Sequence, residues 1–202
     1  MLGDARRPEG QATLPNKAEF VICEQSIFVQ TFDIFFRVVF VYFIVELGSR
    51  RIVHYGVTRS PSDFWVAQRV REATPYDEGP RFLIRDNDSK YGQSFTQVAK
   101  GRGIKVIRTP MRAPKANAIC ERFIGSVRRE CLDHMLILGE RHLYRLIGEY
   151  VSFFNHARPH QGIDQRIPVP PEEGVYRIRG SDRRIVSYPV LGGLHHDYRR
   201  AA

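Results

Sequence analysis

The chain has 202 residues, enough for one domain with short extensions, and its apolar content of 43% excludes global disorder. The formal net charge of +9, from 31 Lys and Arg against 22 Asp and Glu, favours a polyanionic partner such as nucleic acid, although charge alone fits an ordinary basic protein equally well. The 3 cysteines form no C-x-x-C pair, which argues against a disulfide framework and favours a reducing cytosol.

The first half of the chain predicts an arm followed by three strands. Residues 1–26 carry Gly, Pro and mixed charge without a clear period, so we expect a loose N-terminal arm. The apolar segment 27–47 is interrupted by Asp33 and Arg37, and its aromatic and β-branched residues favour buried strands over a membrane span. We predict an antiparallel meander with strands at 28–35, 38–47 and 51–57.

The second half alternates helices and strands. Ser60-Pro61-Ser62-Asp63 is typical of a helix start. The pattern predicts a helix to about residue 74, strands at 82–84 and 104–107, and helices at 94–100, 117–136 and 141–155. This layout is typical of an α/β or α+β protein. At 171–202 we expect a basic tail that either helps to hold DNA or is a solvated arm.

Three carboxylates in different settings carry the functional hypothesis. Asp33 sits within an apolar run, Asp86 ends a second one, and Glu121 lies in a predicted helix. An acid at the end of a buried strand costs free energy unless it is neutralised. Three converging acids would form an oxygen-rich site for hard divalent cations, and two metals there could clamp the oxygens of a phosphoryl transfer.

Each acid also has a plainer interpretation. Asp33 could face water at an edge position, and Asp86 could cap the turn that follows it. Glu121 shares a helix face with Asn117 and Arg128, and that face could be merely solvated. The hypothesis therefore depends on the combination of the three acids.

The ordered combination resembles the integrase catalytic cores of bacterial insertion-sequence transposases and retroviral integrases. Five segments carry this resemblance, beginning with Asp33 before an aromatic-rich strand pair. The second is Asp86-Asn87-Asp88-Ser89-Lys90-Tyr91, which resembles the family's D-x-G-S-x-Y/F, and the third is the loop from Arg108 to Ala118. The fourth runs from Glu121-Arg122-Phe123 to Arg128 (family E-x-F-x-x-x-x-K/R), and the fifth is Asn155-His156-Ala157-Arg158-Pro159-His160 after Tyr150 (family Y-N-x-x-R-P-H). Asp88 departs from the family's Gly, and 34 residues separate Asp86 from Glu121 where 35 are common.

The resemblance covers residues 27–170 and implies a ribonuclease H-like α/β fold, with a mixed five-stranded sheet flanked by helices. It implies that Asp33, Asp86 and Glu121 are catalytic and bind two Mg²⁺ or Mn²⁺ ions, and that a multimer cleaves DNA and joins element ends to a target. Bases near the acids are expected to contact DNA phosphates without reading sequence. The basic candidates are Arg108, Arg112, Lys115, Arg122 and Arg128, and the amide of Asn117 is a further DNA-binding candidate.

Two other functions stay open beside strand transfer. One is a catalytically inactive DNA-binding remnant or regulator on the same fold. The other is a ribonuclease H-type hydrolase. Because the sequence shows neither a helix-turn-helix nor a zinc module, we expect a truncated chain, one half of a split system or a decayed copy, located in the bacterial cytoplasm on the nucleoid and not in a membrane.

Two pairs of side chains could suggest metal chemistry but favour structural roles. Cys120 and Cys131 are eleven residues apart on one helical stripe, which predicts core packing. His156 and His160 have the spacing of a helical metal pair, but Pro159 argues against a continuous helix between them.

Overall fold

The computed structural model describes residues 23–75, 79–108, 114–170 and 184–200. Its strands and long helices are β1 (Cys23–Phe32), β2 (Val38–Glu46), β3 (Ile52–Thr58), α1 (Asp63–Ala73), β4 (Phe82–Arg85), α2 (Gln93–Gly101), β5 (Lys105–Arg108), α3 (Pro114–Glu130), α4 (Glu140–His156), β6 (Ile185–Val190) and β7 (His195–Arg200). Within these described ranges, no helix combines the length and apolarity that crossing a bilayer requires.

The main sheet has five strands in the order β3-β2-β1-β4-β5. The first three strands are antiparallel, as the predicted meander requires, because short turns join them. β4 pairs parallel to β1 and β5 pairs parallel to β4, since helices α1 and α2 carry the chain back before each of them. The mixed five-stranded sheet predicted from the sequence is therefore confirmed, with β1 at its centre.

Helices cover both faces of the sheet. On one face α3 and α4 pack on β1 and β2 through residues that include Val41, Phe43, Phe123 and Ile147. On the other face α1 and α2 pack on β2 and β4, with Phe95 fully buried. Cys120 and Cys131 are buried free thiols in the first of these cores, which confirms their predicted packing role.

The position of β1 differs from the prediction. The strand begins at Cys23, inside the segment assigned to the arm, and ends at Phe32, three residues before the predicted end. The pairing of Phe32 with Val38 closes the ladder with β2, so the residues between them form the turn. Asp33 consequently lies in this turn and not within the strand.

The C-terminal segment contains an ordered hairpin where a tail was predicted. Strands β6 and β7 reverse at Gly192 and Gly193, whose φ angles of 66° and 96° suit glycine. Leu191 inserts into the core on α4, and the ring of His195 stacks on Phe153 at 4.9 Å. The hairpin was missed because neither strand shows regular apolar alternation: β6 contains a proline and β7 is polar. Residues 171–183 of the predicted tail lie outside the described ranges.

Residues 155–160 form hydrogen bonds that hold the end of α4 in place. The Asn155 amide accepts from the N–H of Ile52 and donates to its carbonyl, both at 2.9 Å. His160 contacts the Phe154 carbonyl at 3.2 Å through Nε2 and Arg158 at 2.9 Å through Nδ1. These contacts confirm the structural role predicted for His160 and explain the motif without a metal.

The Asp33 carboxylate holds the β1–β2 turn closed, and its side chain is fully buried. Oδ1 accepts the backbone N–H groups of Phe35 and Arg37 at 2.9 and 3.0 Å, while Oδ2 accepts the guanidinium groups of Arg37 at 2.9 Å and Arg59 at 2.7 Å. Desolvation opposes ionisation, but these hydrogen bonds outweigh it and lower the pKa of Asp33. Both carboxylate oxygens are thus committed within the turn.

Asn155→Ala should destabilise the protein, because it leaves both polar groups of the buried Ile52 backbone without their partner. Each such buried group costs about 1–3 kcal/mol. Urea unfolding measures the difference, and the exposed Asn87→Ala is the matched control that should stay near wild type. Equal stability of the two variants would contradict this assignment.

Asp33→Asn should lower stability at neutral pH, and the deficit should shrink as pH falls. The folded-state pKa lies below its ordinary 3.8, so the ionised carboxylate stabilises the fold above that value and loses this contribution as pH falls through the folded pKa. Urea unfolding at pH 7 and at about pH 3 tests this. The exposed Asp133→Asn is the control, and a deficit that does not change with pH would refute the account.

Candidate functional site

Asp86 directly follows β4, at the carboxyl end of a parallel strand. It is exposed, and its Oδ1 accepts the Asp88 N–H at 3.3 Å, so the predicted turn-capping role is also realised. Desolvation of the carboxylate raises the pKa of Asp86, and the nearby Asp88 carboxylate adds to this effect. Asp88 is held by Lys90, whose ammonium lies 2.5 Å from its Oδ2.

Glu121 is exposed on α3, on the side of the helix that leans toward β1. The helix packs through Phe123, whose ring lies 5.0 Å from that of Phe43. Arg128 is seven residues after Glu121 on the same face, and its guanidinium donates to the Gln30 carbonyl of β1 at 3.0 Å. Helix α3 therefore runs in the same direction as β1, with its Glu121 end toward the start of the strand.

The strand register shows which residue of β1 lies beside Asp86, on the side toward α3. Ser26 pairs with Arg85, so the next residue, Ile27, is level with Asp86. Ile27 also pairs with Phe43, the contact of Phe123, and this places Glu121 at about the same level along the sheet. Asp86, Ile27 and Glu121 therefore occupy one level, with an apolar side chain at the central place.

Asp33 does not join the other two predicted acids. It lies six residues beyond Ile27, about 20 Å further along the strand direction at 3.3 Å per residue. Its oxygens are held by the turn and by Arg59. In the part of the chain that the structure describes, no group of three His, Cys, Asp or Glu side chains could hold a metal ion.

Sequence reasoning missed Ile27 because the register between β1 and β4 cannot be read from either strand alone. The useful signal was strand alternation. Gln25, Ile27 and Val29 are buried on successive alternate positions of β1, so a ligand that this strand supplied toward α3 would come from these alternate positions.

The predicted phosphate-contacting bases divide between different surfaces. Arg108 is exposed at the end of β5 and pairs in register with Arg85. Arg128 lies on the Glu121 face, whereas Arg122 lies about a quarter turn around α3 from it. Arg112 lies outside the described residues, as do the side chains of Lys115 and Asn117.

Comparison with known proteins supports an integrase core. Residues 102–168 match the family model described as Integrase core domain. An uncharacterised 39.2 kDa protein of insertion element IS476 from Xanthomonas euvesicatoria is 26% identical over 73% of this chain and 43% of its own length. A putative transposase InsD of IS2E from Escherichia coli K12 is 24% identical over 62% of each chain. The chain thus spans less than two thirds of either relative.

Solved integrases share the fold at low sequence identity. A chain of the simian T-cell lymphotropic virus intasome, in complex with a PP2A regulatory subunit, has a TM-score of 0.58 and 13% identity over 90% of this chain and 67% of its own. The magnesium complex of the HTLV-2 integrase catalytic core has a TM-score of 0.51 and 12% identity over 73% of this chain and 93% of its own. The predicted ribonuclease H-like fold is confirmed. By this fold, by the family model matched over residues 102–168 and by its insertion-element relatives, the chain is similar to the integrase-type cores of insertion-sequence transposases.

Proposed function

We propose that this core binds DNA in transposition or integration, and that its own described residues do not assemble a two-metal strand-transfer site. The observation that carries the proposal is Ile27 at the level of Asp86 and Glu121. The net charge of +9 supports a polyanionic partner. Of the functions considered from the sequence, the geometry thus favours the DNA-binding core without a complete catalytic centre.

The donor set does not fit a pair of magnesium or manganese ions. Two ions that clamp one phosphodiester need several oxygen ligands, which three converging acids would supply. Asp86 and Glu121 supply two acids, but the β1 residue between them is an isoleucine with 6% of its surface exposed. Asp33 cannot replace it, because its carboxylate closes a turn at the other end of the strand.

Metal-dependent DNA cleavage and strand transfer by Asp33, Asp86 and Glu121 is the second candidate. Two observations favour it. Asp86 and Glu121 lie at about the same height along the sheet, and the pKa of Asp86 is raised, so that a nearby cation would stabilise its ionised form. It requires a carboxylate at the place of Ile27, and the described side chains supply none there.

DNA and further copies of the chain are the proposed partners. One curated relative is named as a transposase, and a solved HTLV-2 integrase core is described as trimeric. By analogy, we propose that the core acts as a multimer on DNA. The relatives are longer than the part of them that this chain matches, and the activity of a longer protein with this core would also depend on such additional segments.

The wild-type chain should bind duplex DNA but should not nick it in Mg²⁺ or Mn²⁺, because its acid site is incomplete. Fluorescence anisotropy measures binding, and a supercoiled-plasmid assay measures nicking. Metal-dependent nicking by the wild type that disappears in Asp86→Asn would contradict the proposal and support the second candidate. Failure of the folded protein to bind DNA would contradict DNA binding itself.

Ile27→Asp should create a metal site at the level of Asp86. The buried carboxylate should destabilise the protein without metal, and Mn²⁺ should restore stability, by about 2.7 kcal/mol at a hundredfold excess over its Kd. Val29→Asp is the matched control, because it buries an acid on the same strand face two residues further on. A thermal melt measures the shift in Tm that Mn²⁺ causes in each variant. An equal shift in Ile27→Asp and Val29→Asp, or a shift that persists when Ile27→Asp is combined with Asp86→Asn, would refute the geometry.

A further inference from the structure

A concave basic surface lies on the flank of α3 that faces away from Glu121. Four guanidinium groups line this basic cleft of about 250 Å³, together with one carboxylate. The charged residues are Arg50, Arg122, Arg129, Arg158 and Glu130. The cleft is large enough for a phosphate group and its neighbours.

The single carboxylate of the basic cleft is already engaged. Glu130 pairs with Arg158 at 2.5 Å and accepts the Tyr150 hydroxyl at 3.1 Å. In the described parts of the chain, Arg50, Arg122 and Arg129 form no ion pair with a carboxylate. Among the described residues, the cleft therefore carries more positive than negative charge.

Arg50 and Arg122 both line the cleft, close enough for their charges to interact. Burial lowers the pKa of the Arg50 guanidinium, and the charge of Arg122 lowers it further. Like charges brought together in a partly desolvated cleft cost free energy until a counter-charge enters. This arrangement is typical of a surface that receives an anion.

The backbone fixes the basic cleft in place. Arg50 has a left-handed φ of 68°, which is strained for a residue with a side chain, and its guanidinium donates to the Leu47 carbonyl in the same turn. Gly162 lies opposite, and a Cβ added there would lie 3.6 Å from Arg50 Nε. Arg122 and Arg129 are seven residues apart on one helix face, so they line the cleft together.

We propose that the basic cleft binds phosphate groups of a nucleic-acid backbone, at a place separate from the acids. Guanidinium groups suit this ligand because they donate two parallel hydrogen bonds to phosphate oxygens. The assignment of the phosphates to DNA rests on the proposed function. Asp86 and Glu121 are not among the residues that line the cleft.

The test compares two charge-matched double variants of the full chain. R122A/R129A removes two exposed cleft bases and leaves the Arg50 turn intact, whereas R141A/R145A removes two exposed bases near the start of α4. The control pair lies about 20 Å along α4 from the end that carries Arg158, at 1.5 Å per residue. The cleft variant should bind a duplex oligonucleotide more weakly, and the slope of log K against log salt should fall by about two.

The outcomes separate the cleft from the DNA-binding function. If the wild type binds duplex DNA but both double variants lose affinity equally, the cleft assignment is wrong and the proposed function stands. If the wild type binds no duplex, the proposed function fails. Sub-millimolar binding of inorganic phosphate by the wild type, lost in R122A/R129A while duplex affinity is unchanged, would assign the cleft to a free anion and overturn the nucleic-acid assignment.

Discussion

The parallel pairing of β1 with β4 is the constraint on which the rest of the structure depends. This ladder joins the antiparallel meander to the strands that follow the helices, and Ser26 opposite Arg85 fixes its register. The register determines which β1 residue stands beside Asp86. Because side chains alternate along a strand, a shift of one residue would present the opposite face of β1. One set of backbone hydrogen bonds therefore decides whether the acid site is complete.

Helix α3 carries two kinds of chemistry on different faces. Its buried stripe, which includes Phe123 and Val127, anchors it on the sheet. One flank carries Glu121 and Arg128 toward β1, and the other carries Arg122 and Arg129 into the basic cleft. Under the proposed function, the second of these faces is the one that holds DNA phosphates.

Much of the architecture was predictable from local pattern. Apolar runs bounded by turn residues located the strands of the sheet, and the periodic stripe with Cys120 and Cys131 predicted a buried helix face. The element ends were less predictable, because β1 reaches Cys23 only through its ladder with β4, and α3 stops where Cys131 adopts a φ of −139°. The hairpin from β6 to β7 packs on α4 through contacts that its local sequence does not reveal.

The candidate site was predicted in part, and the difference has a physical cause. Asp86 follows its strand and Glu121 lies on an exposed face of α3 with Arg128, as local sequence indicated, because a strand end and a helix face are local features. The β1 position is set by pairing between segments more than fifty residues apart, which no local pattern contains. Asp33 attracted attention as an acid in an apolar run, but its neighbours Phe35 and Arg37 turn the chain around its carboxylate.

The most direct test is the β1–β4 register in solution, measured from nuclear Overhauser contacts between backbone protons of the two strands. The account predicts contacts that link Ser26 and Ile27 with Arg85 and Asp86, and none between Asp33 and Asp86. Contacts between Asp33 and Asp86 would contradict it, because they would bring the third carboxylate into the site.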